Sequence, residues 1–172
     1  PEEMAFYYFL GMAYFQANRE DDALDAFKRG VGEINDKSDP DIVSDFYALM
    51  GDILYKKNKP EEAFAAYDSC LQWKDDNVVA LNNYAYYLSE QNRDLKKAEQ
   101  MSLKTVEAEP TNSTYLDTYA WILFLQDRCD EATAYIDRAL GSDSDSTQTA
   151  SAVVIEHAGD IYCKCGDINR AT

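Results

Sequence analysis

The chain has 172 residues, of which 46% are hydrophobic and 28% are charged. This composition is typical of a folded domain and excludes a disordered or collagen-like chain. Asp and Glu number 32 against 16 Lys and Arg, which gives a formal net charge of −16.

The acidic residues are spread evenly, with 17 acids and 8 bases in residues 1–86 and 15 acids and 8 bases in residues 87–172. Phosphate backbones and anionic membrane surfaces are bound mainly through clustered Lys and Arg. The charge pattern therefore argues against nucleic acid and anionic membranes as partners, and a basic or neutral protein stays open. No apolar run approaches the roughly 18 residues that a membrane span needs, so we expect no direct membrane insertion.

Apolar residues recur at helical spacing along the chain, with almost no strand-like alternation, which predicts an all-α fold. The first predicted helix carries Tyr7, Leu10, Gly11 and Tyr14, and the second carries Ala23 and Phe27. In chain order the same spacing returns at Tyr47, Met50, Gly51 and Leu54, then Ala63 and Tyr67; at Leu81, Tyr84, Ala85 and Leu88, then Ala98; at Leu116, Tyr119, Ala120 and Leu123, then Ala132 and Ile136; and at Ile155, Ala158, Gly159 and Tyr162, then Ala171.

Small residues mark the middle of each predicted first helix, at Gly11, Gly51, Ala85, Ala120 and Gly159. Two helices that pack closely need a small residue at their contact, which the alanines of the second helices also supply. The steps between these positions are 40, 34, 35 and 39 residues. We expect the surplus of the outer steps in longer connections at 35–40 and 141–147, which are rich in loop-forming residues.

This repeated pattern resembles the tetratricopeptide repeat (TPR) family, whose signature is W-x2-L-G-x2-Y, then A-x3-F, then P. The resemblance implies an α-α superhelix, a right-handed solenoid of four full helix pairs and the first helix of a fifth. It implies one array over 1–172, with repeats near 4–37, 41–76, 78–111, 113–146 and, in part, 152–172. Tyr, Leu or Ile replaces the signature Trp, and Ser102 and Thr105 stand where the family is usually apolar and small.

The resemblance further implies a concave groove, lined by the first helices, that binds a segment of a partner protein. The side chains it places in that groove are Tyr8, Met12, Asp52, Tyr55, Asn82, Asn83, Tyr86, Asp117, Trp121, Phe124, Glu156 and Asp160. Aromatic anchors, amides and carboxylates suit a peptide that carries Lys or Arg among apolar residues. The plainer alternative is that the aromatics pack between repeats, that Asp52, Asp117 and Asp160 lie on a solvated face, and that His157 is a partly buried helix residue.

One TPR subclass, which clamps acidic C-terminal tails with Lys and Arg, does not fit. Tyr8, Val79 and Asn83 stand where its basic residues would be. An anionic tail would also be repelled by the carboxylates of this groove. We therefore predict a scaffold or adaptor, with a structural spacer or self-association module as the alternative, in which Val153, Val154, Ile161 or Tyr162 of the last repeat is exposed.

No catalytic or phosphate-binding motif is present, and His157 is the single histidine. We therefore predict no enzyme activity, no cofactor and no metal. Cys70, Cys129, Cys163 and Cys165 lack zinc-site spacing, and we expect reduced thiols in preference to a disulfide. The chain begins at Pro1 and stops inside a repeat, which we interpret as a fragment of a longer protein. The resemblance of 82–88 and 115–121 to bacterial TPR proteins favours a bacterial source, and both cytoplasm and periplasm stay open.

Overall fold

The computed structural model describes residues 2–142 and 150–166, and within these every regular element is an α-helix. In chain order the helices are α1 (Glu2–Gln16), α2 (Glu20–Gly32), α3 (Pro40–Lys56), α4 (Pro60–Trp73), α5 (Val78–Glu90), α6 (Leu95–Ala108), α7 (Ser113–Leu125), α8 (Cys129–Ser142) and α9 (Ala152–Lys164). The all-α prediction is confirmed. Of the connection expected at 141–147, only the two residues that end α8 are described, and Ala171 lies outside the described residues.

The chain divides into two compact units, residues 1–80 and 81–172, with the boundary inside α5. In the first unit α1 packs on α2, α2 on α3 and α3 on α4. In the second unit α6 packs on α7, α7 on α8, and α9 on both α7 and α8. The contacts α1–α2, α3–α4 and α7–α8 join the first and second helices of three predicted repeats.

Two of the predicted small residues, Gly11 and Gly51, lie where the two helices of a pair come closest, whereas a Cβ added at Gly159 would meet nothing within 4 Å. A Cβ added at Gly11 would lie 2.4 Å from the Phe27 ring, and one at Gly51 would lie 2.8 Å from the Tyr67 ring. Ala23 and Ala63, which belong to the facing helices, are fully buried. Close approach of the backbones thus requires glycine in both first helices of this unit.

The turns within repeats are closed by residues that accept left-handed backbone. Asn18, Asn58 and Asp127 have φ of 57°, 60° and 60°, each just after a first helix. Asn and Asp adopt this conformation more readily than other non-glycine residues. Helix α4 begins at Pro60 itself, where a missing backbone N–H costs nothing.

The predicted longer connection at 35–40 is a compact turn that leads into α3. The Asn35 backbone N–H donates to Ser38 Oγ at 2.9 Å, and the Lys37 N–H donates to Asn35 Oδ1 at 3.0 Å. The Asp39 carboxylate then caps α3 by accepting from the Asp41 N–H at 2.9 Å. The extra residues are therefore ordered by their own side chains.

The preference for four reduced cysteines was wrong for two of them. Cys129, at the start of α8, and Cys165, directly after α9, form a disulfide with their Cα atoms 5.6 Å apart. Their separation of 36 residues is close to one repeat, so repeat packing brings the two positions together. Cys70 is a buried free thiol and Cys163 an exposed one, as expected.

Two polar residues that depart from the family pattern, Ser102 and Thr105, are fully buried in α6. The Thr105 hydroxyl donates to the Ser102 carbonyl oxygen at 2.7 Å.

In the last helix, Val153 is exposed, as the self-association alternative expected, whereas Val154, Ile161 and Tyr162 are buried. Among the described helices, none is both long and apolar enough to span a bilayer.

Candidate functional site

The four groove residues predicted in the first unit take part in its internal packing. The Tyr8 ring lies edge-on to Phe46 at 5.3 Å, and the Tyr55 ring lies 6.1 Å from Phe64. Met12 packs against the apolar core of this unit. Asp52 is half-buried and accepts a hydrogen bond from the Tyr67 hydroxyl, so it does not lie on a solvated face.

In the second unit, a buried hydrogen-bonded pair, Asp117 and His157, joins two first helices. Both carboxylate oxygens of Asp117 on α7 lie 2.9 Å from Nδ1 of His157 on α9. The two residues are 4% and 7% exposed. The interpretation of Asp117 as a solvated surface acid was therefore wrong, because the stacking of α9 on α7 covers it.

Aromatic side chains enclose this pair. The Trp121 indole stacks on the His157 ring, with centroids 4.2 Å apart and an interplanar angle of 14°. Tyr86 of α5 approaches the same imidazole, with ring centroids 6.2 Å apart, and Phe124 lies 5.2 Å from Trp121. Side chains from α5, α7 and α9 thus meet around His157, and we call Asn82, Asn83, Tyr86, Asp117, Trp121, Phe124 and His157 the α5–α7–α9 cluster.

A cavity of about 280 Å³ opens beside this cluster, entirely within the second unit. Four of the predicted groove residues, Asn82, Asn83, Tyr86 and Asp117, line it. The remaining walls come from the start of α7 and from the segment that begins α9: Thr114, Thr118, Ser151, Val153 and Val154. The residues that line this one cavity therefore include both polar acceptors and apolar valines.

Asn82 has an unmet requirement for a hydrogen bond. Its side chain is 7% exposed, and Oδ1 has no hydrogen-bond partner among the described residues. A buried acceptor without a partner costs about 1–3 kcal/mol. The fold therefore retains a costly polar group in the wall of the cavity, which a bound donor would satisfy.

Burial governs the protonation of the acid in this site. Desolvation raises the pKa of the Asp117 carboxyl, and the hydrogen bond and charge of His157 lower it in part.

In the first unit, burial likewise raises the pKa of the Cys70 thiol, and its hydrogen bond with Ser44 lowers that pKa in part. A thiol held in its protonated form is a poor nucleophile, which favours a structural role for Cys70.

Two predicted groove residues, Glu156 and Asp160, are exposed carboxylates on α9 that do not line the cavity. The sequence analysis did not place Thr114, Thr118, Ser151, Val153 or Val154 in the groove, since none belongs to the repeat signature. It described His157 as a partly buried helix residue and assigned it no role in binding. Its spacing of 40 residues from Asp117, about one repeat, was a usable signal, because consecutive first helices lie side by side.

The described residues contain no group of three or more His, Cys, Asp or Glu side chains arranged to hold a metal ion. A buried Asp–His pair that is stacked on tryptophan instead holds two helices together. The arrangement offers acceptors, aromatic faces and a negative charge to a ligand in the cavity.

Comparison with family models identifies the repeats directly. Residues 1–40 and 44–77 each match a model described as a tetratricopeptide repeat. These two segments are tetratricopeptide repeats. The match falls on the two helix pairs of the first unit, α1–α2 and α3–α4, and the helix pairs of the second unit repeat the same small-residue pattern.

Solved structures of TPR proteins have the same fold. MamA of Desulfovibrio magneticus matches with a TM-score of 0.80 at 15% identity, over 99% of this chain and 90% of that one. PilF of Pseudomonas aeruginosa matches at 0.74 and 20% identity, over 99% and 72%. A TPR protein of Parabacteroides merdae matches at 0.79 and 15% identity, over 99% and 63%. At these identities the likeness establishes the all-α TPR fold, and TPR proteins in general act as protein-interaction scaffolds.

Proposed function

We propose that this protein is a scaffold or adaptor that binds a segment of a partner protein on the α5–α7–α9 cluster. The partner segment carries Lys or Arg among apolar residues. Asn82, Asn83, Tyr86, Asp117, Trp121 and Phe124 make the contacts, and the exposed Glu156 and Asp160 extend the acidic surface along α9. In the first unit, the first-helix residues Tyr8, Met12, Asp52 and Tyr55 are proposed as a separate set of partner contacts.

One observation carries the proposal: side chains from three consecutive first helices line or adjoin one open cavity that contains an unsatisfied amide oxygen. Tyr and Trp are favoured at interfaces because they bury a large area at a low cost in side-chain entropy. An amide oxygen in the cavity wall accepts a hydrogen bond from a partner's N–H.

Site-specific photo-crosslinking tests this location. A photoreactive residue is placed at Thr114, an exposed position in the cavity wall, and for comparison at Leu103, an exposed position on the second helix α6. We expect a partner from extracts of the source cells to crosslink at position 114 and to be absent or much weaker at 103. Equal crosslinking at both positions, or crosslinking at 103 alone, contradicts the proposal.

The captured partner is then bound to purified variants. Tyr86→Ala removes an aromatic side chain that lines the cavity, whereas Leu103→Ala removes an apolar side chain from α6. Truncation of an interface aromatic weakens binding by about tenfold or more. We expect that loss for Tyr86→Ala alone, with both variants folded by circular dichroism and thermal melting.

Self-association is a second candidate, and one observation favours it. Phe6 and Phe9 on α1 are 60% and 68% exposed, whereas Phe46, which holds the position of Phe6 in the next repeat, is fully buried. A second copy that covers this aromatic pair would give it the protection that α2 gives Phe46. Sedimentation equilibrium of the wild type and of Phe6→Ser with Phe9→Ser decides the matter: a dimer that the substitutions dissociate supports it, and a wild-type monomer overturns it.

A further inference from the structure

We propose that the cavity of the second unit seats a lysine side chain of the partner, with its ammonium bound by the Asp117 carboxylate and the Asn82 amide oxygen. This inference rests on the proposed function, and it specifies which side chain the cavity recognises.

The cavity has the electrostatic character of a cation site. Asp117 supplies a carboxylate, and none of the described residues that line the cavity is Lys or Arg. The whole chain carries a formal charge of −16, which attracts a cation toward any opening on its surface. An anionic ligand would meet Asp117 in a buried setting with no lining cation to offset it.

The Asn82 amide oxygen gives a second and independent indication. It is an acceptor in a side chain that is 93% buried, since 7% is exposed, and it has no partner within the described residues. An ammonium brings three hydrogen-bond donors and no acceptor. The amide oxygen and the carboxylate, together with the hydroxyls of Thr114 and Thr118, offer separate acceptor atoms of the kind that such a group requires.

The geometry of Asp117 favours ammonium over guanidinium. Arginine binds a carboxylate best through two parallel hydrogen bonds, one to each oxygen. Both Asp117 oxygens already lie 2.9 Å from His157 Nδ1, so the carboxylate edge that the guanidinium fork would use is occupied. A lysine ammonium needs a single remaining lone pair, and it approaches as a compact point charge.

The other walls suit the lysine stem. Val153, Val154 and Tyr86 line the cavity together with the polar groups. Lysine buries its methylenes against apolar surface while its charged end seeks polar partners, and an aromatic face adds a cation–π attraction. Polar acceptors and an apolar wall in one opening match the two parts of this side chain.

Peptides selected from a displayed random library on the purified protein test the inference, with binding location read from crosslinking at position 114. The selected peptides are expected to contain a lysine whose replacement by norleucine or by Nε-acetyl-lysine weakens binding about tenfold or more. Replacement by arginine is expected to weaken binding by a smaller but measurable factor, because Asp117 cannot accept the two parallel hydrogen bonds that a guanidinium donates best.

Variants of the protein locate the lysine in the cavity. With the Asp117→Asn protein, replacing the peptide lysine by norleucine is expected to weaken binding by about twofold or less. With the Glu107→Gln protein, which makes the same charge change on α6, the replacement is expected to weaken binding as much as it does with the wild type. Should Asp117→Asn fail to fold, Thr114→Arg places a competing cation at the exposed edge of the cavity and is expected to abolish the preference for lysine.

The outcomes separate the two proposals. If peptides crosslink at position 114 but their norleucine and lysine forms bind equally, the proposal that the cavity binds a lysine side chain is wrong. The proposed binding face is then retained. If the lysine preference persists unchanged in Asp117→Asn and in Thr114→Arg, the lysine binds elsewhere and the seat is likewise wrong. If no selected peptide crosslinks at 114, the binding face itself fails, and the lysine seat falls with it.

Discussion

At the scale of single residues, the fold depends on positions where a methyl group decides whether two helices can touch. The repeat signature identified Gly11 and Gly51 correctly, because close packing leaves a small-residue signal at fixed spacing. The burial of Asp117 was not predictable in the same way. Helical periodicity gives the face of a helix on which a residue lies, but not the partner that covers it, and that partner, His157, comes from the next repeat.

Gly11→Ala should destabilise the first unit by about 1–3 kcal/mol, since the new methyl would lie 2.4 Å from a Phe27 ring that is itself fully buried. The matched control is Gly32→Ala on α2, where a Cβ would meet nothing within 4 Å. That change should leave the stability equal or raise it by up to about 1 kcal/mol, because alanine favours helix. Urea denaturation of both variants measures the difference, and equal effects would refute the close-contact explanation.

The Asp117 carboxyl should make stability fall as pH rises. Its folded pKa is raised above the ordinary value of 3.8 by burial, so the folded state binds this proton more tightly than the unfolded state does. The contribution of Asp117 is therefore most favourable below pH 3.8 and is lost as pH rises through the raised folded pKa. Subtracting the stability of Asp117→Asn from that of the wild type, in urea series at several pH values, should give a difference that declines across this window. A difference that climbs there would contradict the burial of the carboxyl.

At the scale of helices and loops, the sequence predicted most of the architecture and missed one covalent link. The motif spacing located the helix pairs. The connection expected at 35–40 is a turn before α3, and Pro60 begins α4. These signals are local in the chain and can therefore be identified from sequence. The disulfide between Cys129 and Cys165 joins residues 36 positions apart. No local spacing reports such a pair, whose meeting depends on how α9 packs against α8.

Thiol counting tests the disulfide directly. Without reductant, the native chain should react at Cys163 alone, since Cys70 is buried and its pKa is raised by burial. The unfolded, non-reduced chain should expose two thiols, and the reduced chain all four cysteines. Mass spectrometry after alkylation gives these counts, and four reactive thiols before reduction would exclude the disulfide.

Loss of this link should loosen the last helix. Closing a loop of 36 residues stabilises a fold by about 3–4 kcal/mol in the chain-entropy treatment. Cys129→Ser with Cys165→Ser should therefore speed amide hydrogen exchange in α9, with little change in α1–α4. Cys163→Ser is the matched control, and exchange in α9 that rises equally in this variant would contradict the role assigned to the disulfide.

At the scale of the whole molecule, the excess of acid shapes the choice of partner more than the fold. A formal charge of −16, divided as −9 and −7 between residues 1–86 and 87–172, favours basic partners over anionic ones at every part of the surface. This preference is a prediction from composition alone. The cavity of the second unit could not be predicted, because its walls combine repeat residues with Thr114, Ser151 and Val153, which carry no repeat signal.

Binding of a lysine-containing peptide should weaken as salt is added. Between about 50 mM and about 500 mM NaCl, affinity should fall about threefold or more, since the Debye length shrinks below the spacing of the surface charges. The norleucine form of the same peptide should change less. Fluorescence polarisation measures the affinity of both peptides at each salt concentration. Identical salt dependence of the two affinities would show that the lysine charge does not contribute to binding.

The most direct test of the binding face is chemical-shift mapping of the isotope-labelled protein with a peptide selected from the displayed library. The account predicts that perturbed signals concentrate on α5, α7 and α9, with the Asn82 side-chain amide and the Trp121 indole N–H among the largest changes. Perturbations concentrated on the second helices α6 and α8, with Asn82 and Trp121 unmoved, would contradict it.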